Sequence, residues 1–224
     1  MARPKKELSR ILSADEREIT FEGSVVGSDR ELVSLLLKVA DGERHVKTAC
    51  NLVERFGPLL PSVGEGDGDA RVVPMDVIDN VALFAGYVSR LSLTSMGIES
   101  DCDVMTMLGD GEWKSEATYL TANGIAVSVN AVTLTNCLEK ADAAQMMLTR
   151  MMNEVSMRRF VADMRVGLPR ETLESSVLFA VVDSAKRGLL APCPRCSRPV
   201  IKVNSMSSPF CSKVCCNAYR KSHV

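Results

Sequence analysis

Four cysteines, Cys193, Cys196, Cys211 and Cys215, constrain this chain more than any other feature, because C-x2-C, fourteen residues, then C-x3-C is the paired-ligand spacing of a metal site. A two-residue insertion lets a tight knuckle aim two thiolates at one ion about 2.3 Å away, and the second pair completes a tetrahedron. With every position filled by protein no water can be activated, so the expected Zn2+ is structural rather than hydrolytic. The 32 residues from Cys193 to Val224 bury too little surface to fold alone. Zinc binding to such segments supplies roughly 10 to 16 kcal/mol of apparent free energy, which makes metal and local fold inseparable. The fourth position has two competitors: Cys216 would give C-x4-C, and His223 could reach back from the tail. Cys215 is preferred, since a C-x3-C pair is readily met at a helix start, with the helix running on through Cys216 to Lys221. That outline is a treble clef.

Cysteine chemistry depends on compartment. Eight cysteines would suggest disulfides in a secreted chain, but Met1 to Arg10 is basic and polar, unlike a signal peptide. No apolar run approaches the ~20 residues that cross a bilayer. Reduced thiols in the cytoplasm or nucleoid, with no membrane partner, are therefore expected. The composition, 46% apolar and 25% charged, is that of a globular chain with one substantial core and an appendage.

Charge is divided unevenly. Of 27 basic residues eight lie between Ser184 and Val224, a stretch without a single acid, so the residues upstream carry 19 basic against 28 acidic side chains, a net −9. Such asymmetry points to a basic contact surface on an acidic body. Arg195, Arg198, Lys202, Lys213, Arg220 and Lys221 are the candidate phosphate contacts. Only Phe210 and Tyr219 offer rings there, too few to stack single strands, which favours contact with a duplex backbone or with a protein; nucleic acid, DNA more than RNA, is the expected partner.

Upstream, the pattern predicts a mixed α+β fold: a mainly helical body with a few short strands over residues 15–188, after a flexible basic arm at 1–14 and before the zinc module at 189–224. Ile19 to Val26 alternates as a strand does. Ser28 followed by Glu31 is a capping box opening a helix over Leu32 to Val39. His45 to Phe56 is a second helix, ended by Gly57-Pro58. Gly57 to Ala70 reads as an exposed loop, and its GEGDGD run lacks the twelfth-position Glu of a calcium loop, where Ile78 stands. Met75 to Leu93 places Val77, Val81, Phe84 and Val88 at helical spacing. Trp113 to Tyr119 and Gly124 to Thr133 read as strands, and Leu134 to Arg165 as a helix. Its six methionines, Met146, Met147, Met151, Met152, Met157 and Met164, suggest core packing or a self-association seam, with Arg150, Arg158, Arg159 and Arg165 on the wet side. A last helix follows Pro169, with Leu173, Val177, Ala180 and Val181 inward, and stops at Gly188.

No phosphate-binding loop, nucleophile elbow or paired-histidine zinc helix is present. His45, Asp101, Asp103 and Glu112 form no catalytic spacing, and His45 reads as a surface residue among Glu43, Arg44 and Lys47. A non-enzymatic protein is expected.

Two resemblances follow from the cysteine cluster. Cys193-Pro194-x-Cys196-x-x-Pro199-Val200, then Pro209-Phe210-Cys211-Ser212-Lys213-x-Cys215, resembles the small gyrase-inhibitor zinc protein over about 30 residues. The wider arrangement, Ser175 to Leu190 leading into the first pair, then Cys211-Ser212, Asn217 and Arg220, is similar to the CGNR-type zinc fingers that close bacterial proteins presumed to regulate transcription. Cys215-Cys216-Asn217-Ala218 stands where that family has Cys-Gly-Asn-Arg. The resemblance implies a zinc-bound treble clef on a regulator that binds DNA. The alternative is an adaptor or inhibitor whose module docks on a protein partner, with the methionine-rich helices holding a homodimer or another subunit.

Overall fold

The structure is a computed structural model that describes residues 10–22, 28–40, 45–56, 71–98, 104–109, 112–120, 126–135, 139–164, 173–204 and 206–222. Alternation in EITFE makes β2 (Glu18–Glu22), with Ile19 and Phe21 buried in the core and Thr20 on the other face. It lies between β1 (Arg10–Ala14) and β3 (Arg71–Pro74) in an antiparallel sheet. The β1–β2 turn is held by Asp15, whose Oδ1 accepts the N–H groups of Arg17 at 2.7 Å and Glu18 at 2.9 Å. Those two bonds, Arg17 first, keep its carboxyl below the ordinary value. Of the arm expected at 1–14, the described part, residues 10–14, is this strand. Residues 10–14 pair along β2, whose backbone groups on that side need a partner, and composition does not register such pairing. The first nine residues lie outside the described ones, as does 57–70, the expected loop.

Helix α1 (Asp29–Ala40) opens on the reciprocal cap that Ser28 and Glu31 predict. Ser28 N–H donates to Glu31 Oε2 at 2.9 Å, and Glu31 N–H to Ser28 Oγ at 3.4 Å. Glu31 also accepts from Arg55 of α2 (His45–Phe56) at 2.8 Å, tying the two helices. The Ser28 N–H, and after it Arg55, hold the Glu31 carboxyl below its ordinary value against the opposing effect of burial.

The middle of the body is α3 (Met75–Ser95). Of the four positions expected to face inward, Val81, Phe84 and Val88 are buried and Val77 is half-buried, but Ile78, Ala82, Ala85, Tyr87 and Leu91 are buried too, so the helix is covered on most sides. It packs on α1, on α4 (Lys140–Met164) and on α5 (Leu173–Lys186). His45 is not an isolated surface residue: its Nε2 meets Asp79 Oδ1 of α3 at 2.6 Å, a neighbour 34 positions along the chain.

A second antiparallel sheet joins β4 (Met105–Gly109), β5 (Glu112–Leu120) and β6 (Ala126–Thr135). The helix expected from Leu134 begins at Lys140 instead, because Leu134 pairs with Trp113 across β5 and β6 and both are buried. In α4, Met147 and Met151 enter the core while Met146 stays 48% exposed. The α5 positions Leu173, Val177, Ala180 and Val181 are buried as their spacing predicts.

Among the described residues the chain thus has six helices and eight short strands, a mixed α+β fold. No helix among them is long and apolar enough to cross a membrane.

Losing the cap and the Arg55 contact together makes Glu31→Ala destabilising by about 1–2 kcal/mol at neutral pH. The folded-state carboxyl is held below its ordinary value, so its contribution is present above the unfolded-state value and disappears as pH falls through the lower folded one. Urea unfolding of wild type and variant should therefore show a gap that narrows on acidification; a gap independent of pH would contradict the assignment.

Candidate metal centre

The centre is positioned by the end of α5. Gly188 adopts φ 65°, its N–H bonds Ala185 O at 3.0 Å, and the next N–H, Leu189, bonds Ser184 O at 2.8 Å. This closes the helix as a Schellman motif, as Gly188 predicts. The chain turns directly into β7 (Leu190–Pro192), which pairs antiparallel with β8 (Pro199–Ile201). Leu190 and Ile201 are each 3% exposed and belong to the same core as α1 and α3.

The connection between β7 and β8 is the knuckle. Cys193 N–H bonds Arg198 O at 2.7 Å and Ser197 N–H bonds Cys193 O at 2.9 Å, so the loop folds back over the first cysteine pair. Ser197 makes the sharp reversal with φ 57°, left-handed backbone that a non-glycine residue occupies at some cost.

The second pair is set by a helix cap. Ser212 Oγ accepts Cys215 N–H at 3.2 Å and its carbonyl accepts Cys216 N–H at 3.1 Å, which makes Ser212 the N-cap of α6 (Lys213–Ser222). Cys211 then precedes the cap and Cys215 sits in the first turn. Both sulfurs lie at the positive end of the helix dipole, where a thiolate is favoured. Phe210 packs on Tyr219, with ring centroids 5.3 Å apart, and braces the preceding loop against α6.

Knuckle and helix bring the four sulfurs to one point. Sγ of Cys196 is 3.5 Å from that of Cys211, Cys211 is 3.6 Å from Cys215, and Cys215 is 3.7 Å from Cys196. All four, Cys193 included, lie within 4.8 Å of one another and can hold a metal ion. Cys193 is buried and the other three are half-buried, so the cluster is inset against the body. Cys216 is half-buried and is not part of the group. The other competitor, His223, lies outside the described residues.

Electrostatics of the bare cluster shows what an ion must do. Burial opposes ionisation of Cys193, yet the N–H groups of Cys211, Arg195 and Cys196 directed at its sulfur outweigh it and bring the thiol down to about 7. Burial raises Cys196 despite the N–H of Arg198. Burial, then the sulfurs of Cys196, Cys215 and Cys193, push Cys211 far above its ordinary value. One thiolate is stabilised by the backbone; four together need a cation.

The basic candidates surround this centre. Arg195 and Arg198 are exposed on the knuckle, and Lys202 is half-buried beyond β8. Lys213, Arg220 and Lys221 are exposed on α6 and share one face with Asn217, at positions i, i+7, i+8 and i+4. Catalytic candidates do not converge in the same way. His45 contacts Asp79 and Glu112 is exposed at the start of β5, while Asp101 and Asp103 lie outside the described residues. What the spacing of cysteines does not reveal is the Ser212 cap and the N–H groups aimed at sulfur; a Ser just after the third cysteine is the signal for the first of these.

No protein-family model, curated protein or solved structure matches the chain.

Since β7 and β8 share the main core, metal loss should be felt by the whole chain. An ion present at a thousandfold excess over its Kd stabilises by about 4 kcal/mol, or on the order of 8–16 °C for a chain this size. A chelator is expected to lower the melting temperature by that amount in one transition, and Cys196→Ser to do the same without chelator. Separate melting of module and body would show that the shared core is not cooperative. Protons compete with metal for thiolates, so the ion should also be released as pH falls, which a colorimetric metal indicator would follow.

Proposed function

We propose that this chain is a non-enzymatic regulator whose C-terminal module is a treble-clef-like zinc finger that binds nucleic acid, DNA rather than RNA, with the upstream body sensing a signal or dimerising. Zinc is supported by the sulfur geometry. Thiolates about 2.3 Å from a tetrahedrally bound zinc are about 3.8 Å apart, and the separations of 3.5, 3.6 and 3.7 Å fall close to that edge. Four soft sulfur ligands in a tetrahedron suit zinc or iron, and iron would colour the protein. A knuckle, a hairpin and a helix with a ligand in its first turn agree with the resemblance to the CGNR-type and gyrase-inhibitor modules. Sequestered thiolates suit a reducing compartment, the cytoplasm or nucleoid.

The observation that carries the nucleic-acid reading is the outward face of α6. Lys213, Arg220 and Lys221 stand in one row with no acid anywhere in Ser184 to Val224. With Arg195, Arg198 and Lys202 they form the set available to phosphates. Phe210 and Tyr219 are packed on each other rather than presented as stacking platforms, which supports contact with a duplex backbone over single strands.

A second reading has its own support. Met206 is 88% and Val214 67% exposed on the module, apolar surface that phosphate contacts would leave unused. An adaptor or inhibitor docking on an acidic protein would cover it.

Metal analysis should return one zinc per chain, and fluorescence anisotropy should show duplex DNA binding that weakens with salt. Each lost phosphate contact reduces the log–log slope by about 0.9, so Arg220→Ala with Lys221→Ala should flatten it by about 2. Cys193→Ser should abolish binding. A salt-independent signal, or none, would favour the protein-docking alternative.

A further inference from the structure

The exposed side of α4 has a feature that neither the metal centre nor the basic module uses. Leu134, Met146, Thr149, Arg150, Asn153 and Glu154 are among the residues lining a shallow groove of about 750 Å³ along the first half of this helix. Met146 is 48% exposed there, although Met147 and Met151 beside it are in the core. On β4, which packs against α4, Met107 and Leu108 are each 53% exposed. Arg150 and Glu154 lie one turn apart on the groove, both exposed, and neither has an ion-pair partner among the described residues.

From this we infer that the α4 groove is a twofold interface, covered by α4 of a second copy of the chain running antiparallel. The charges specify that arrangement. In an isologous contact, if residue i meets residue j, then j meets i. A twofold axis at the level of Met152 sets Arg150 opposite Glu154 of the second copy, and Glu154 opposite its Arg150, two ion pairs about 6 Å apart along the helix. Parallel helices in register would instead set Arg150 against Arg150 and Glu154 against Glu154. Met146, about 9 Å from the axis at each end, would shield the pairs from water. Packed helices lie about 8–10 Å apart, and the small or polar Thr149 and Asn153 near the axis suit such an approach.

The inference is independent of the zinc and nucleic-acid readings, and its test does not use either. Sedimentation equilibrium of the full chain is expected to give twice the chain mass. Arg150→Glu places like charges together at two points and should weaken association by about a hundredfold or more, as should Glu154→Arg. Combining them, Arg150→Glu with Glu154→Arg, restores opposite charges and should restore the dimer. Because both positions are exposed, circular dichroism should be unchanged in all three. A monomeric wild type, a dimer unaffected by Arg150→Glu, or a double variant no better than the singles would each overturn the inference; the last two would assign the contact to another surface or partner.

Discussion

Four sulfur atoms within 4.8 Å of one another are a demand for positive charge. Backbone N–H groups lower one of them, Cys193, against the effect of burial, but burial, and after it the neighbouring sulfurs, raises Cys211, because charge is costly away from water and each thiolate formed opposes the next. An ion would resolve the conflict, and in doing so would join the β7–β8 hairpin, with Cys193 and Cys196 on its knuckle, to the start of α6, with Cys211 and Cys215. The consequence reaches beyond the module. Leu190 and Ile201, on the strands that carry the knuckle, are part of the main core, so an interaction at the surface of the fold bears on its interior.

The body supplies the fixed base for this arrangement. Covered on most sides, α3 is the element on which α1, α4 and α5 converge. Polar contacts then set how those helices meet. Arg55 reaches Glu31 between α2 and α1, His45 reaches Asp79 between α2 and α3, and Arg30 reaches Asp183 between α1 and α5 at 3.4 Å. None lies deep in the core, so each contributes orientation more than net stability. The Schellman turn at Gly188 converts that orientation into the direction of β7, and so places the knuckle.

Features with local causes were legible in the sequence. The Ser28–Glu31 cap, the end of α2 before Gly57-Pro58, the stop at Gly188, and the pairing of Cys193 with Cys196 and of Cys211 with Cys215 each depend on a few neighbouring residues. Their geometry follows from backbone conformation over one or two turns. Features with distant partners were not. Strand β1 exists because β2 is there to pair with, and Leu134 is a strand residue because Trp113 lies opposite. His45 acquired Asp79 by the packing of α2 on α3.

By itself, then, the sequence determined the paired-cysteine spacing, the helix caps and stops, the mixed α+β character and the acid-free basic segment. These are properties of spacing and composition, which survive without knowledge of the neighbours. Tertiary structure alone decided that the module's hairpin enters the main core, that the face of α6 carrying Lys213, Arg220 and Lys221 is the exposed one, and that Met146 faces out while Met147 and Met151 face in. Burial is a property of what covers a residue, and that cover comes from elements far away along the chain.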